Sequence, residues 1–217
     1  MVSIGWHNGT HWLHYCGGSI ISNRTIITAS HCFFSSKAYL HEEDLLIRQK
    51  FQVRLGDQIL NDDSSDLGMA ETYDILTVIG HPEYKGRGPK HDIALIYTKK
   101  PIQFNQRTKP ICMATQAYDK PDRYADQNVK FAGFGYYDGT ETRSDDLRAA
   151  NFKILSQSTC LAQSLYYRRS KDKNTFFCAG NLVSSKSFVL FCNFLKIFFF
   201  SDRMVAHQLV KVILVDP

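Results

Sequence analysis

The chain has 217 residues, of which 44% are hydrophobic and 22% charged, with six cysteines and a formal net charge of +5. This is an ordinary globular composition, large enough for one domain or two small ones, and it excludes a disordered chain. The mild charge comes without a dense Lys/Arg block, so nucleic acid is not an expected partner. Six cysteines in a chain of this size point to an oxidising compartment.

Met1-Val2-Ser3-Ile4-Gly5 carries neither the charged start nor the apolar segment of a secretory signal, so the expected reading is an N-terminus that lies inside a longer precursor. His7, His11 and His14 have helical spacing, but Gly9 and the run Tyr15-Cys16-Gly17-Gly18 argue against a helix. They are expected to be surface histidines on a loop and a first strand, not a metal site. Asn8-Gly9-Thr10 and Asn23-Arg24-Thr25 fit the N-glycosylation pattern, which also arises by chance.

Cys16-Gly17-Gly18-Ser19-Ile20-Ile21 leads through a turn at Ser22-Asn23-Arg24 into Thr25-Ile26-Ile27-Thr28-Ala29, an apolar, β-branched run that reads as a buried strand. The run ends in Ser30-His31-Cys32. A bridge from Cys32 back to Cys16 would fix the His31 backbone, and a general base has to be held within a fraction of an ångström of its working position. Residues 33–49 read as a polar surface loop. Lys50-Phe51-Gln52-Val53-Arg54-Leu55-Gly56 alternates as a half-buried strand does. The acidic stretch Asn61-Asp62-Asp63-Ser64-Ser65-Asp66 reads as a solvated loop in preference to a calcium site. Residues 73–79 read as a strand, and no chemistry is assigned to the His81-Pro82 that follows, whose structural role is implied only by the resemblance described below.

His91-Asp92-Ile93-Ala94-Leu95-Ile96-Tyr97 places a carboxylate at the mouth of an apolar strand. A carboxylate there can cap the strand, or it can bond the far nitrogen of an imidazole, selecting its tautomer and stabilising the imidazolium.

Taken together, the Cys16–Cys32 stretch and the His91–Tyr97 stretch resemble the histidine and aspartate segments of the trypsin/chymotrypsin family of serine endopeptidases. Their patterns there are Cys-Gly-Gly-Ser-Leu-Ile…Val-Leu-Thr-Ala-Ala-His-Cys and Asn-Asp-Ile-Ala-Leu-Leu. His91 stands where the family usually has Asn. The resemblance extends through Leu55-Gly56-Asp57, the corner Ile79-Gly80-His81-Pro82-Glu83-Tyr84, Lys109-Pro110-Ile111-Cys112-Met113, Val129-Lys130-Phe131-Ala132-Gly133-Phe134-Gly135 and Thr175-Phe176-Phe177-Cys178-Ala179-Gly180. It implies an all-β, chymotrypsin-like fold of two antiparallel six-stranded barrels. The first would run to about residue 110, with a strand over 147–155 and a short helix from Ser158-Thr159-Cys160 in the second. It also implies His31 as catalytic base and acid, Asp92 as its orienting carboxylate, and disulfides Cys16–Cys32 and Cys160–Cys178. No cofactor and no metal are implied. The implied partners are protein or peptide substrates and protease inhibitors, and the implied location is extracellular.

The resemblance stops at Gly180, the last glycine of the chain. In the family, the segment that follows carries Gly-Asp-Ser-Gly-Gly-Pro, which supplies the nucleophilic serine and the oxyanion donors. Here Ser184, Ser185, Ser187 and Ser201 lie in a Phe-rich tail, and none has the flanking glycines that allow the sharp turn such a serine needs. The expected second barrel is therefore incomplete, residues 181–217 form an atypical tail, and the chain as written lacks a nucleophile. Val183-Ser184 is what an in-frame intron donor of the GTAAGT or GTGAGT type would encode, so the tail reads as translated intron. The alternatives are a non-catalytic secreted homologue that binds partners, and a peripheral membrane protein using the aromatic run. That run is too short to span and contains Asn193 and Lys196. The partners of Cys112 and Cys192 stay open.

Overall fold

The computed structural model describes residues 1–34, 50–61, 69–86, 90–113, 122, 124–136, 143–163, 176–180, 189–193, 196–200 and 212–215. Most of the acidic loop, most of the loop after Cys32, and Ser184, Ser185, Ser187 and Ser201 lie outside these residues.

The first six strands are β1 (Val2–His7), β2 (Trp12–Ile20), β3 (Thr25–Thr28), β4 (Gln52–Leu55), β5 (Glu71–Gly80) and β6 (Ala94–Thr98). They close into an antiparallel barrel in the order β1-β2-β3-β6-β5-β4. The alternation read in the sequence sets which faces turn inward. Val53 and Leu55 of β4 are buried while Gln52 and Arg54 are half-exposed, and Ala94, Ile96 and Thr98 of β6 alternate with Leu95 and Tyr97 in the same way. Val2, Ile4, Ile26, Val53, Leu55 and Ile96 form the centre of the core, with Trp6, Tyr15 and Phe33 packed on it. The register of β1 on β2 shifts between Ile4 and Gly5, a bulge that lets Gly5 face His14.

One expectation is corrected here. His7 and His11 are exposed, but His14 is buried. Its Nδ1 lies 2.8 Å from Ser3 Oγ, which accepts the Trp12 indole N–H at 2.7 Å, and its ring meets Phe134 edge-on. A histidine inside a strand of alternating apolar residues is buried when a neighbouring hydroxyl can satisfy it.

The remaining strands are β7 (Asn128–Tyr136), β8 (Arg143–Leu155), β9 (Phe176–Gly180), β10 (Val189–Asn193), β11 (Lys196–Phe200) and β12 (Val212–Val215). They form one open antiparallel sheet in the order β11-β10-β9-β8-β7-β12. A seven-residue helix, α1 (Gln157–Gln163), follows β8. Val129, Phe131, Ile154 and Ala179 build its small core. The tail thus contributes β10, β11 and β12 to this sheet. The overall class is all-β with one closed six-stranded barrel.

Candidate active site

Antiparallel pairing of β3 with β6 sets the Thr28 end of β3 opposite the Ala94 start of β6. The chain leaving β3 and the chain entering β6 therefore emerge at the same rim. Three residues beyond Thr28, a 3₁₀ turn over Ser30–Cys32 carries His31. Two residues before Ala94 stands Asp92. The separation of 61 residues in sequence closes to hydrogen-bond distance because these two strands are neighbours.

The disulfide Cys16–Cys32 ties the turn to β2, with the core half-cystines buried at 1% and 0% exposure. The bridge closes a loop of 16 residues, for which the chain-entropy argument gives about 3 kcal/mol of stabilisation. Ser30 Oγ donates to the Ile93 carbonyl at 2.5 Å, and that carbonyl also accepts the His81 N–H at 2.9 Å. The turn, the segment around Asp92 and the end of β5 are thus pinned at one oxygen. Ser30 has no signal in the residue pattern that marks it out, because its part depends on where β6 begins.

Asp92 is fully buried, and both its oxygens are engaged by His31. One accepts the His31 backbone N–H at 2.6 Å, and the other lies 2.8 Å from His31 Nδ1. The His31 side chain is 27% exposed and that of Asp92 only 1%. A buried carboxylate is costly unless charge-assisted hydrogen bonds satisfy it, and here the histidine supplies two. With the carboxylate ionised, Nδ1 carries the proton and Nε2 becomes the basic nitrogen of the ring. The arrangement can take up a proton at Nε2 and stabilise the resulting imidazolium.

Of the other residues expected from the sequence, Cys160 is buried and disulfide-bonded, and it sits on α1. The Cys178 backbone pairs with Leu155 in the β8–β9 ladder, and its side chain lies outside the described residues. Cys112 is an exposed free thiol. Among the described residues, no helix is long and apolar enough to cross a membrane.

The closed all-β barrel is matched in sequence as well: the trypsin family model covers residues 1–188. The chain belongs to the trypsin family. It is similar to trypsin-3 of Salmo salar, 28% identical over 174 residues, covering 80% of this chain and 62% of the relative. It is 31% identical over 180 residues to phenoloxidase-activating factor 3 of Holotrichia diomphalia, covering 79% of this chain and 48% of that protein. A venom serine protease, Bi-VSP of Bombus ignitus, is 29% identical over 167 residues, covering 76% of this chain and 42% of that protein. The chain therefore spans between 42% and 62% of the length of these three relatives.

Proposed function

We propose that this chain derives from a gene for a secreted serine endopeptidase and carries two of its three catalytic residues. His31 is the general base that deprotonates a serine and then the acid that protonates the leaving amine. Asp92 orients it and stabilises the imidazolium. The observation that supports this most is the double clamp of Asp92 on His31, on both its backbone N–H and its ring. A strand cap needs only a backbone donor. A carboxylate that also holds the far ring nitrogen of a part-exposed histidine is arranged for proton transfer.

In this reading the domain is chymotrypsin-like. The first barrel runs to about residue 110, the second spans 111–180 as an incomplete barrel, and 181–217 is an atypical tail. Cys160 pairs with Cys178. The natural partners are protein or peptide substrates and protease inhibitors, without cofactor or metal in the catalytic step. The sequence after Gly180 offers no serine in a glycine frame, so the chain as written is inactive in hydrolysis. Without a nucleophile the histidine has nothing to activate, and loss of one member of such a triad costs several orders of magnitude in rate. The tail is read as translated intron, in line with the shift to Phe-rich sequence and with Val183-Ser184, the pair that an in-frame GTAAGT or GTGAGT donor would encode.

Sequencing of transcript and genomic DNA across the codons for Gly180 to Ser185 tests this. The expected result is a spliced message that continues into a Gly-Asp-Ser-Gly-type segment. If every message reads through into the Phe-rich tail, the endopeptidase reading is overturned, and the second reading stands: a secreted non-catalytic homologue that binds partners.

A further inference from the structure

Three side chains that the reading above leaves without a task gather behind Asp92. His81 directly follows β5, Glu83 comes two residues later in the corner, and His91 immediately precedes Asp92. His91 Nε2 lies 3.4 Å from Glu83 Oε2. The His81 and His91 rings stack with centroids 4.6 Å apart and planes within 17°. One nitrogen from each histidine and a Glu83 oxygen lie within 4.8 Å of one another. The second such group, Cys16, His31 and Cys32, has its two sulfurs bound in the disulfide, which removes them as ligands.

We propose that His81, Glu83 and His91 form a surface site for a divalent transition metal of the zinc type. Two imidazoles and one carboxylate are a ligand set that zinc accepts in sites open to water. Ligands about 2.0–2.1 Å from a tetrahedral ion stand about 3.3 Å apart, and the gap between His91 and Glu83 is already at that value. The backbone holds the two histidines in place. His91 has φ 58°, the left-handed region that His and Asn tolerate better than most residues. The His81 N–H is fixed to the Ile93 carbonyl at 2.9 Å, and its Nδ1 accepts the Glu83 backbone N–H at 3.2 Å, which leaves Nε2 as the His81 nitrogen for a metal.

The stack itself sets one requirement. Imidazole lone pairs lie in the ring plane, so two parallel rings cannot aim at a single ion. Binding requires one ring to turn out of the stack. Glu83 has an exposed side chain, 69% accessible, and can follow. Binding then joins His81 and His91 through the metal and braces the segment that presents Asp92. The proposal gives His81 a task beyond the structural corner expected of it, and it rests on a juxtaposition that no spacing in the sequence displays.

The test is titration of the full chain with cobalt(II), a spectroscopic stand-in for zinc, at neutral pH. One equivalent is expected to give visible d–d bands of tetrahedral intensity, displaced by zinc. His91→Asn keeps a residue suited to the left-handed backbone and should weaken binding by more than about tenfold, as should His81→Ala. Glu83→Gln alters an exposed residue and should weaken it less. His11→Asn, in the exposed turn between β1 and β2, should leave it unchanged. Zinc should raise the melting temperature of the parent chain and leave that of His91→Asn unchanged. Absence of the bands in the parent chain, or undiminished bands in His91→Asn, overturns the proposal. So does loss of binding with His31→Ala and not with His91→Asn, which would put the metal at the rim histidine instead.

Discussion

A carboxylate with no exposed surface is the costliest group at the rim of the barrel, and its partners explain why it is tolerated. Asp92 gives one oxygen to the His31 backbone and the other to the ring, so its charge is met by two donors from a single residue. Replacing Asp92 by Asn keeps the shape and reverses the polarity at one of these contacts. An amide N–H facing Nδ1 needs an acceptor there, so the ring should switch its proton to Nε2. We expect ¹⁵N NMR of the His31 ring to report Nδ1–H in the parent chain and Nε2–H in Asp92→Asn. Thermal unfolding of the variant should show a loss of about 1–3 kcal/mol. An unchanged tautomer would mean that the carboxylate does not set the proton position. Taken alone, His31 reads as a core histidine and Asp92 as a strand cap, and it was the resemblance of their two stretches to one family that paired them in advance of the geometry. His14 was not legible in this way. Its burial depends on Ser3 and Trp12 coming together through the β1–β2 register, and no single stretch of sequence displays that.

At the scale of elements, β3 to β6 of the first barrel were readable in turn, whereas β1 and β2 were expected only as a loop and one first strand. β4 falls within the alternating run 50–56, and β5 extends the expected 73–79 by two residues at the front and one at the end. β6 starts at Ala94, after the expected apolar run has begun, because Ile93 N–H turns back to the His91 carbonyl before pairing starts. The less readable features are those set by contact across strands, such as the bulge in β1. Gly5 sits there with its backbone against β2, and an added Cβ would lie 2.0 Å from the Leu13 carbonyl oxygen. That atom belongs to a paired strand and cannot give way as a side-chain end can. Gly5→Ala should therefore cost about 2–4 kcal/mol in denaturant unfolding. Gly9 supplies the comparison. It has φ 103° but open space around its Cβ position, so Gly9→Ala should cost only about 1–2 kcal/mol, from backbone conformation alone. Equal losses for the two would show that the bulge is free to relax. In the second half, β7 and β8 contain the expected strands, and β8 begins four residues before the expected start at 147. The strands β10 to β12 were not anticipated. Apolar, β-forming runs such as Val189-Leu190-Phe191 and Val212-Ile213-Leu214-Val215 pair with whatever edge is offered, and β9 and β7 each offer one.

The two halves of the molecule differ in how they dispose of their edges, and this difference leads to a prediction about the whole chain. The closed barrel pairs all six of its strands on both sides, whereas the second sheet ends at β11 on one side and β12 on the other. The halves meet through Trp12, Leu60 and Phe134, with Met1 and Leu147 packed around them. The backbone adds Leu60 N–H to the Asp145 carbonyl at 3.0 Å and Leu147 N–H to the Gln58 carbonyl at 2.7 Å. This contact supports the near end of β8 and leaves the edges β11 and β12 without cover from it. Opening free energies follow the number of buried apolar contacts and the protection of backbone bonds, so the open sheet should unfold locally before the barrel does. Limited proteolysis of the full chain should cut within residues 111–217 first and leave a resistant fragment ending near residue 110. Hydrogen exchange should show slow amides in β1 to β6 and faster ones in β9 to β12. Equal resistance and equal exchange across the two halves would mean that the six strands of the second sheet are as well closed as the barrel. The tail would then be an integrated part of the fold, which is the opposite of what translated intron sequence should provide.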